Sequence, residues 1–181
     1  GAKSITILMF MMGLWSLGWA QSGDQSGKNS TLLTRWAAEV TPENVHGEYP
    51  RPQMVRKAWQ NLNGLWNYSI LPLSAERPSK WQGKILVPFP VESALSGVSE
   101  SVSDNQTLWY HREFNVPVKR GDQRWLLHFG AVDFEATIWV NGIEVATHRG
   151  GYDPFSIDIS SALKEGGNQT VVIRVWDPTS S

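Results

Sequence analysis

The sequence predicts an all-β sandwich. Apolar and polar residues alternate with period two in one short segment after another, the pattern of half-buried strands. Gly-, Asn- and Pro-containing turns separate those segments at close intervals. Helical patterning is almost absent, and Pro42, Pro50 and Pro52 bar a long helix where the strands have not yet begun. Beyond the first thirty residues the chain keeps about 150 of its 181, a single-domain length able to bury a core without staples.

The segment 1–20 reads as a secretory signal peptide. Lys3 precedes an apolar run, Ile5 to Leu17, and Gly18-Trp19-Ala20 ends it with small residues placed for a cut before Gln21. The run is shorter than the ~20 residues that span a bilayer. A secreted or periplasmic protein is therefore expected. Residues 21–31 are Gly/Ser-rich and lack periodicity, as a flexible tether does.

Strand assignments follow in order. Leu65–Ile70 alternates after Asn63-Gly64, and Gly83–Pro90 is a strand closed by its prolines. A Ser/Gly-rich loop covers 91–106, and Thr107–Val116 alternates cleanly. Arg124–Phe129 follows the turn Lys119-Arg-Gly-Asp122. Glu135–Val140 and Ile143–His148 form a hairpin on Asn141-Gly142, a strong short-range turn signal. Phe155–Ile159 is a strand, Ser160–Glu165 one helical turn, and Thr170–Trp176 the last strand.

Composition excludes several functions. No cysteine is present, which removes disulfides, thiol chemistry and thiolate–metal sites. Sixteen basic against seventeen acidic side chains leave a formal charge of −1, with no basic field for nucleic acid and no polybasic run for a membrane surface. No cofactor or metal is expected. The triplets at Asn29, Asn67, Asn105 and Asn168 fit glycosylation acceptors but recur by chance.

Four ordered segments carry a resemblance. They are Tyr49-Pro-Arg-Pro-Gln-Met-Val-Arg56 with Asn61-Leu-Asn-Gly-Leu-Trp66; Leu108-Trp-Tyr-His-Arg112; Phe129-Gly-Ala-Val-Asp-Phe-Glu-Ala-Thr-Ile-Trp-Val-Asn-Gly142; and Gly150-Gly-Tyr-Asp-Pro-Phe-Ser-Ile-Asp158. Over about residues 32–179 the chain resembles the N-terminal sugar-binding domain of glycoside hydrolase family 2, which includes β-galactosidases, β-glucuronidases and β-mannosidases. The resemblance implies a jelly-roll, galactose-binding-domain-like β-sandwich. It also implies a (β/α)₈ barrel beyond Ser181 that supplies the acid/base and nucleophile glutamates of a retaining mechanism. No catalytic residue is assigned in this chain, and Asp133, Glu135, Asp153 and Asp158 are read as structural.

In the β-galactosidase branch the first domain lends polar groups to the rim of the sugar pocket, and the nearest matches are Asn105 and Asp177. Each also has a plain reading, Asn105 as part of a turn with Asp104 and Asp177 as a strand terminator before Pro178. His111 and His148 are expected to be hydrogen-bonded histidines at sheet edges. Of ten Trp, two (Trp15 and Trp19) lie in the first twenty residues. Trp66, Trp109, Trp139 and Trp176 fall at alternating positions expected to be core, Trp125 lies in the strand Arg124–Phe129, and Trp36, Trp59 and Trp81 near loops are candidates for a sugar-stacking surface.

The expected function is the non-catalytic N-terminal domain of a secreted retaining glycosidase. It would pack on the barrel and shape the pocket for a β-glycoside, with downstream domains of the same polypeptide as partners. The alternatives are a free-standing carbohydrate-binding module and a purely structural domain.

Overall fold

The computed structural model of the protein describes residues 4–10, 34–35, 37–48, 58–118 and 122–178. Among them ten strands form two sheets. They are β1 (Ser4–Phe10), β2 (Trp59–Asn61), β3 (Gly64–Pro72), β4 (Gly83–Val87), β5 (Gln106–Val116), β6 (Arg124–Ala131), β7 (Glu135–Val140), β8 (Ile143–Arg149), β9 (Phe155–Asp158) and β10 (Gly167–Trp176). The larger sheet runs β4-β3-β5-β10-β7-β8 and is antiparallel throughout. The smaller runs β2-β1-β6-β9. In the larger sheet β10 is inserted between β5 and β7, a long-range crossing in keeping with a jelly-roll sandwich.

Period-two alternation decides which side chains meet between the sheets. From β5 come Leu108, Tyr110, Phe114 and Val116; from β7, Ala136, Ile138 and Val140; from β10, Val171, Ile173 and Val175. Trp125, Leu127 and Phe129 of β6 and Ile157 of β9 face them from the smaller sheet. Arg112 shares the inward parity of β5, and its Nη1 donates to the carbonyls of Leu62 (2.7 Å) and Asn63 (2.9 Å). Burial lowers the pKa of its guanidinium, and those two carbonyls offset part of the cost of desolvating it.

The Asn141-Gly142 hairpin turn is present, with φ of +51° and +84° as a type I′ turn requires. Its asparagine also reaches into the next loop. Asn141 Nδ2 donates to Ala162 O (2.8 Å) and Gln169 Oε1 (2.7 Å), while Oδ1 accepts from Thr170 N (3.0 Å). The fully buried Gln169 in turn donates from Nε2 to Gly166 O (2.8 Å) and accepts Lys164 N (2.9 Å).

Several expectations need correction. Only Trp66 of the four predicted core indoles belongs to the central cluster. Trp109 is buried but faces away from it, and Trp139 and Trp176 are half-buried. Alternation gives parity along a strand, not which parity turns inward, and on β7 the smaller Ala136, Ile138 and Val140 take the inner side. Residues 160–165 form turns without a helix, and a 3₁₀ turn appears instead at Ala94–Ser96. Apart from these corrections, Ser4–Phe10, within the segment 1–20, runs between β2 and β6 and parallel to both. An apolar, β-branched run suits a strand as readily as a helix. The tether 21–31, Trp36 and the motif 49–56 lie outside the described residues.

Candidate functional site

At one end of the sandwich the start of β5, the end of β10, the start of β7 and the end of β8 come together, as the pairs Trp176↔Glu135 and Glu135↔Arg149 and the link from Trp176 to Asp104 show. The last strand is pinned to the turn before β5 by Trp176 Nε1, which donates to Asp104 O at 2.7 Å. That bond brings both predicted rim residues, Asn105 and Asp177, to the same end. Asn105 is exposed within the turn; its carbonyl accepts Leu73 N (2.8 Å) and its Oδ1 accepts Ser103 Oγ (2.6 Å). Asp177 is half-buried directly after β10.

Asp177 has acidic company that sequence reading missed. Its charge contributes to raised pKa values at Glu92 and Asp133, though in both the largest cause is burial. Asp133 comes from the β6–β7 turn and sits against Gly151, where an added Cβ would lie 2.4 Å from its Oδ1. Backbone bonds fix this arrangement: Phe134 N donates to Trp176 O (3.4 Å) and Gly150 N to Phe134 O (2.9 Å). Tyr110 lies fully buried near Glu92, its phenol pushed up by burial first and by the Glu92 charge second. Around the carboxylates two aromatic side chains are exposed, Phe134 at 36% and Tyr152 at 81%.

Chemically this end offers hydrogen-bond acceptors on carboxylates and both donor and acceptor on the Asn105 amide, a set suited to sugar hydroxyls. Among the described residues no group of three or more His, Asp or Glu is placed to hold a metal ion.

Of the carboxylates read as structural, Glu135, at this same end, accepts Arg149 Nε (2.7 Å), and Asp158 on β9 accepts Arg124 Nε (2.7 Å). Asp153 is exposed in the loop after β8. His111 stands in the interior of the larger sheet, not at its edge, and its Nδ1 accepts from Asn67 Nδ2 at 2.9 Å. His148 is on the edge strand β8, but its ring stacks on Phe155 at 3.8 Å and its buried Nε2 has no hydrogen-bond partner.

Residues 59–181 match the family model described as glycosyl hydrolases family 2, sugar binding domain. The chain belongs to that family. Among curated relatives of this family 2 domain, a β-glucuronidase of Paenibacillus borealis is 30% identical over 133 residues, covering 70% of this chain and 22% of the relative. That of Felis catus is 32% identical over 143 residues, with 65% and 20% covered. Among solved structures, Lactobacillus rhamnosus β-glucuronidase is 34% identical with a TM-score of 0.54, covering 65% of this chain and 21% of that one. Ruminococcus gnavus β-glucuronidase in complex with uronic isofagomine is 27% identical, also with a TM-score of 0.54 and with 65% and 21% covered. The chain spans about a fifth of the length of the curated relatives it matches.

The resemblance segments Phe129–Gly142 and Gly150–Asp158 hold Asp133, Phe134, Gly151 and Tyr152, so a signal for them was present in the sequence. Glu92 had none: it lies in a loop, and only the folded chain carries that loop toward Asp177.

Proposed function

We propose that this chain is the non-catalytic N-terminal domain of a secreted retaining glycoside hydrolase acting on β-glycosides, and that the sandwich end bearing Asn105 and Asp177 forms one wall of the sugar pocket. The observation that carries it is the placing of Asp133 and Glu92 each within electrostatic range of Asp177, with exposed Phe134 and Tyr152 next to Asp133 and Gly151 in the chain. Carboxylates raised by burial are unfavourable for folding, and such groups concentrate where function requires them. The two aromatic side chains suit packing against a neighbouring domain, because interface cores favour Tyr and Phe.

The relatives are named β-glucuronidases, which makes a β-glucuronide the first substrate to test, followed by a β-galactoside and a β-mannoside. The 181-residue chain alone should hydrolyse none of their nitrophenyl derivatives. In the full-length protein Asp177→Ala should lower kcat/KM by about ten- to a hundred-fold, the equivalent of losing one hydrogen bond to a charged group. Unchanged kinetics together with a marked loss of domain stability would reduce Asp177 to a strand terminator and defeat the pocket-wall reading.

A further inference from the structure

The face of the larger sheet turned away from the core carries its own aromatic arrangement. The outward parity of β5 contains Trp109 and His111, that of β10 Val172, and that of β7 Trp139. His111 lies opposite Val172 and Val172 opposite Trp139, so His111 and Trp139 are two strand spacings apart, about 10 Å. Each anchors a ring stack. Trp139 packs on Trp109 with centroids 5.7 Å apart and planes 16° from parallel. Trp81, from the β3–β4 loop, packs on His111 at 5.0 Å and 14°.

The inner ring of each stack is held in place. Trp109 is 3% exposed and its Nε1 donates to Thr107 Oγ1 at 3.0 Å. His111 accepts from Asn67, and burial, its largest influence, lowers its pKa. The outer rings, Trp139 and Trp81, are half-buried, so each keeps contact with solvent. Half-buried Asn67, Thr137 and Arg174 share the outward parity and add amide, hydroxyl and guanidinium groups to the same face.

Two kinds of ligand use aromatic surface. A protein partner needs a broad apolar core, yet among the described residues Leu65 is the one exposed large hydrophobe of this parity. Rigid indoles interleaved with directional polar groups instead match a sugar, whose C–H faces are apolar and whose rim is hydroxyl. We propose that this face is a carbohydrate-binding surface in its own right, taking an oligosaccharide of neutral pyranose units across Trp139 and Trp81. The two separated stations call for several linked sugars, not one. This surface does not rest on the reading of the sandwich end, and it needs no catalytic barrel.

The test titrates the 181-residue chain with cellohexaose, xylohexaose and mannohexaose, each against its monosaccharide, by calorimetry and by following indole N–H resonances. At least one hexasaccharide should bind about ten-fold or more tightly than its monosaccharide. It should move the signals of Trp81 and Trp139 and leave those of the core residues Trp66 and Trp125 in place. Trp139→Ala should weaken binding by about ten-fold or more. The indole signals of the wild-type chain decide the matter even where Trp139→Ala folds poorly. Absence of binding to all three hexasaccharides overturns the proposal, as does binding that leaves the signals of Trp81 and Trp139 unmoved. Self-association of the chain abolished by Trp139→Ala would assign the face to a second copy instead.

Discussion

Glu92 shows at the level of one residue how the candidate site is set against the fold around it. Its carboxyl is raised chiefly by burial, with Asp177 adding to the shift. A carboxyl raised in the folded state contributes stability that is present below its unfolded pKa, about 4.3, and is lost as pH rises through the folded value. Glu92→Gln should therefore raise the Tm at pH 7 relative to the parent, and the gap should close as pH falls towards 4. Thermal scans across that range check it; a gap independent of pH would mean that the ionised carboxylate is not the source. A shared place for Asn105 and Asp177 at one end of the sandwich was legible from the resemblance to one branch of the family. Glu92 was not, since it is 85 positions from Asp177 and no local pattern links the two.

Strands as elements were legible almost throughout. The expected segments from 65 to 176 reappear as β3 to β10 with shifted ends, because period two is a property of the backbone and is written into the side-chain order. Sheet order was not legible, nor was the inward parity of β7, because both depend on pairing between distant segments. The Asn141-Gly142 turn was predicted as a hairpin, but its bond to Gln169 was not. That amide ties the hairpin to the loop before β10, so Gln169→Leu should leave Lys164 N and Gly166 O without their partner. The expected loss is about 1–3 kcal/mol for each group left orphaned, measured as a fall in the urea midpoint at unchanged m. A neutral result would show that solvent replaces Gln169 without penalty.

For the whole molecule, the packing divides the large side chains into those that hold the sheets together and those that face outward. Ile173 is 0% exposed on β10, between β5 and β7. Ile173→Ala should cost about 2–5 kcal/mol, as large-to-small changes in a core do. Trp139→Ala removes more atoms, yet it should cost less, because Trp139 is half-buried on the outer face. Urea unfolding of the two variants side by side checks the order, and a reversal would place Trp139 back among the core residues. The jelly-roll class was legible from resemblance and strand count together. The segment Ser4–Phe10 was not, because a short apolar run satisfies the requirements of an export signal and of a sheet strand alike.

The stacked pair Trp109 and Trp139 also gives this protein a built-in optical gauge. Two indoles 5.7 Å apart, with planes only 16° from parallel, lie close enough for their electronic transitions to mix. Held in one chiral geometry, such a pair produces a two-signed circular-dichroism band that neither ring shows alone. The rings come from strands that do not pair with each other but flank β10 on either side. The band therefore reports whether β5, β10 and β7 are still assembled, and it vanishes when that strip separates even if each strand keeps its extended shape.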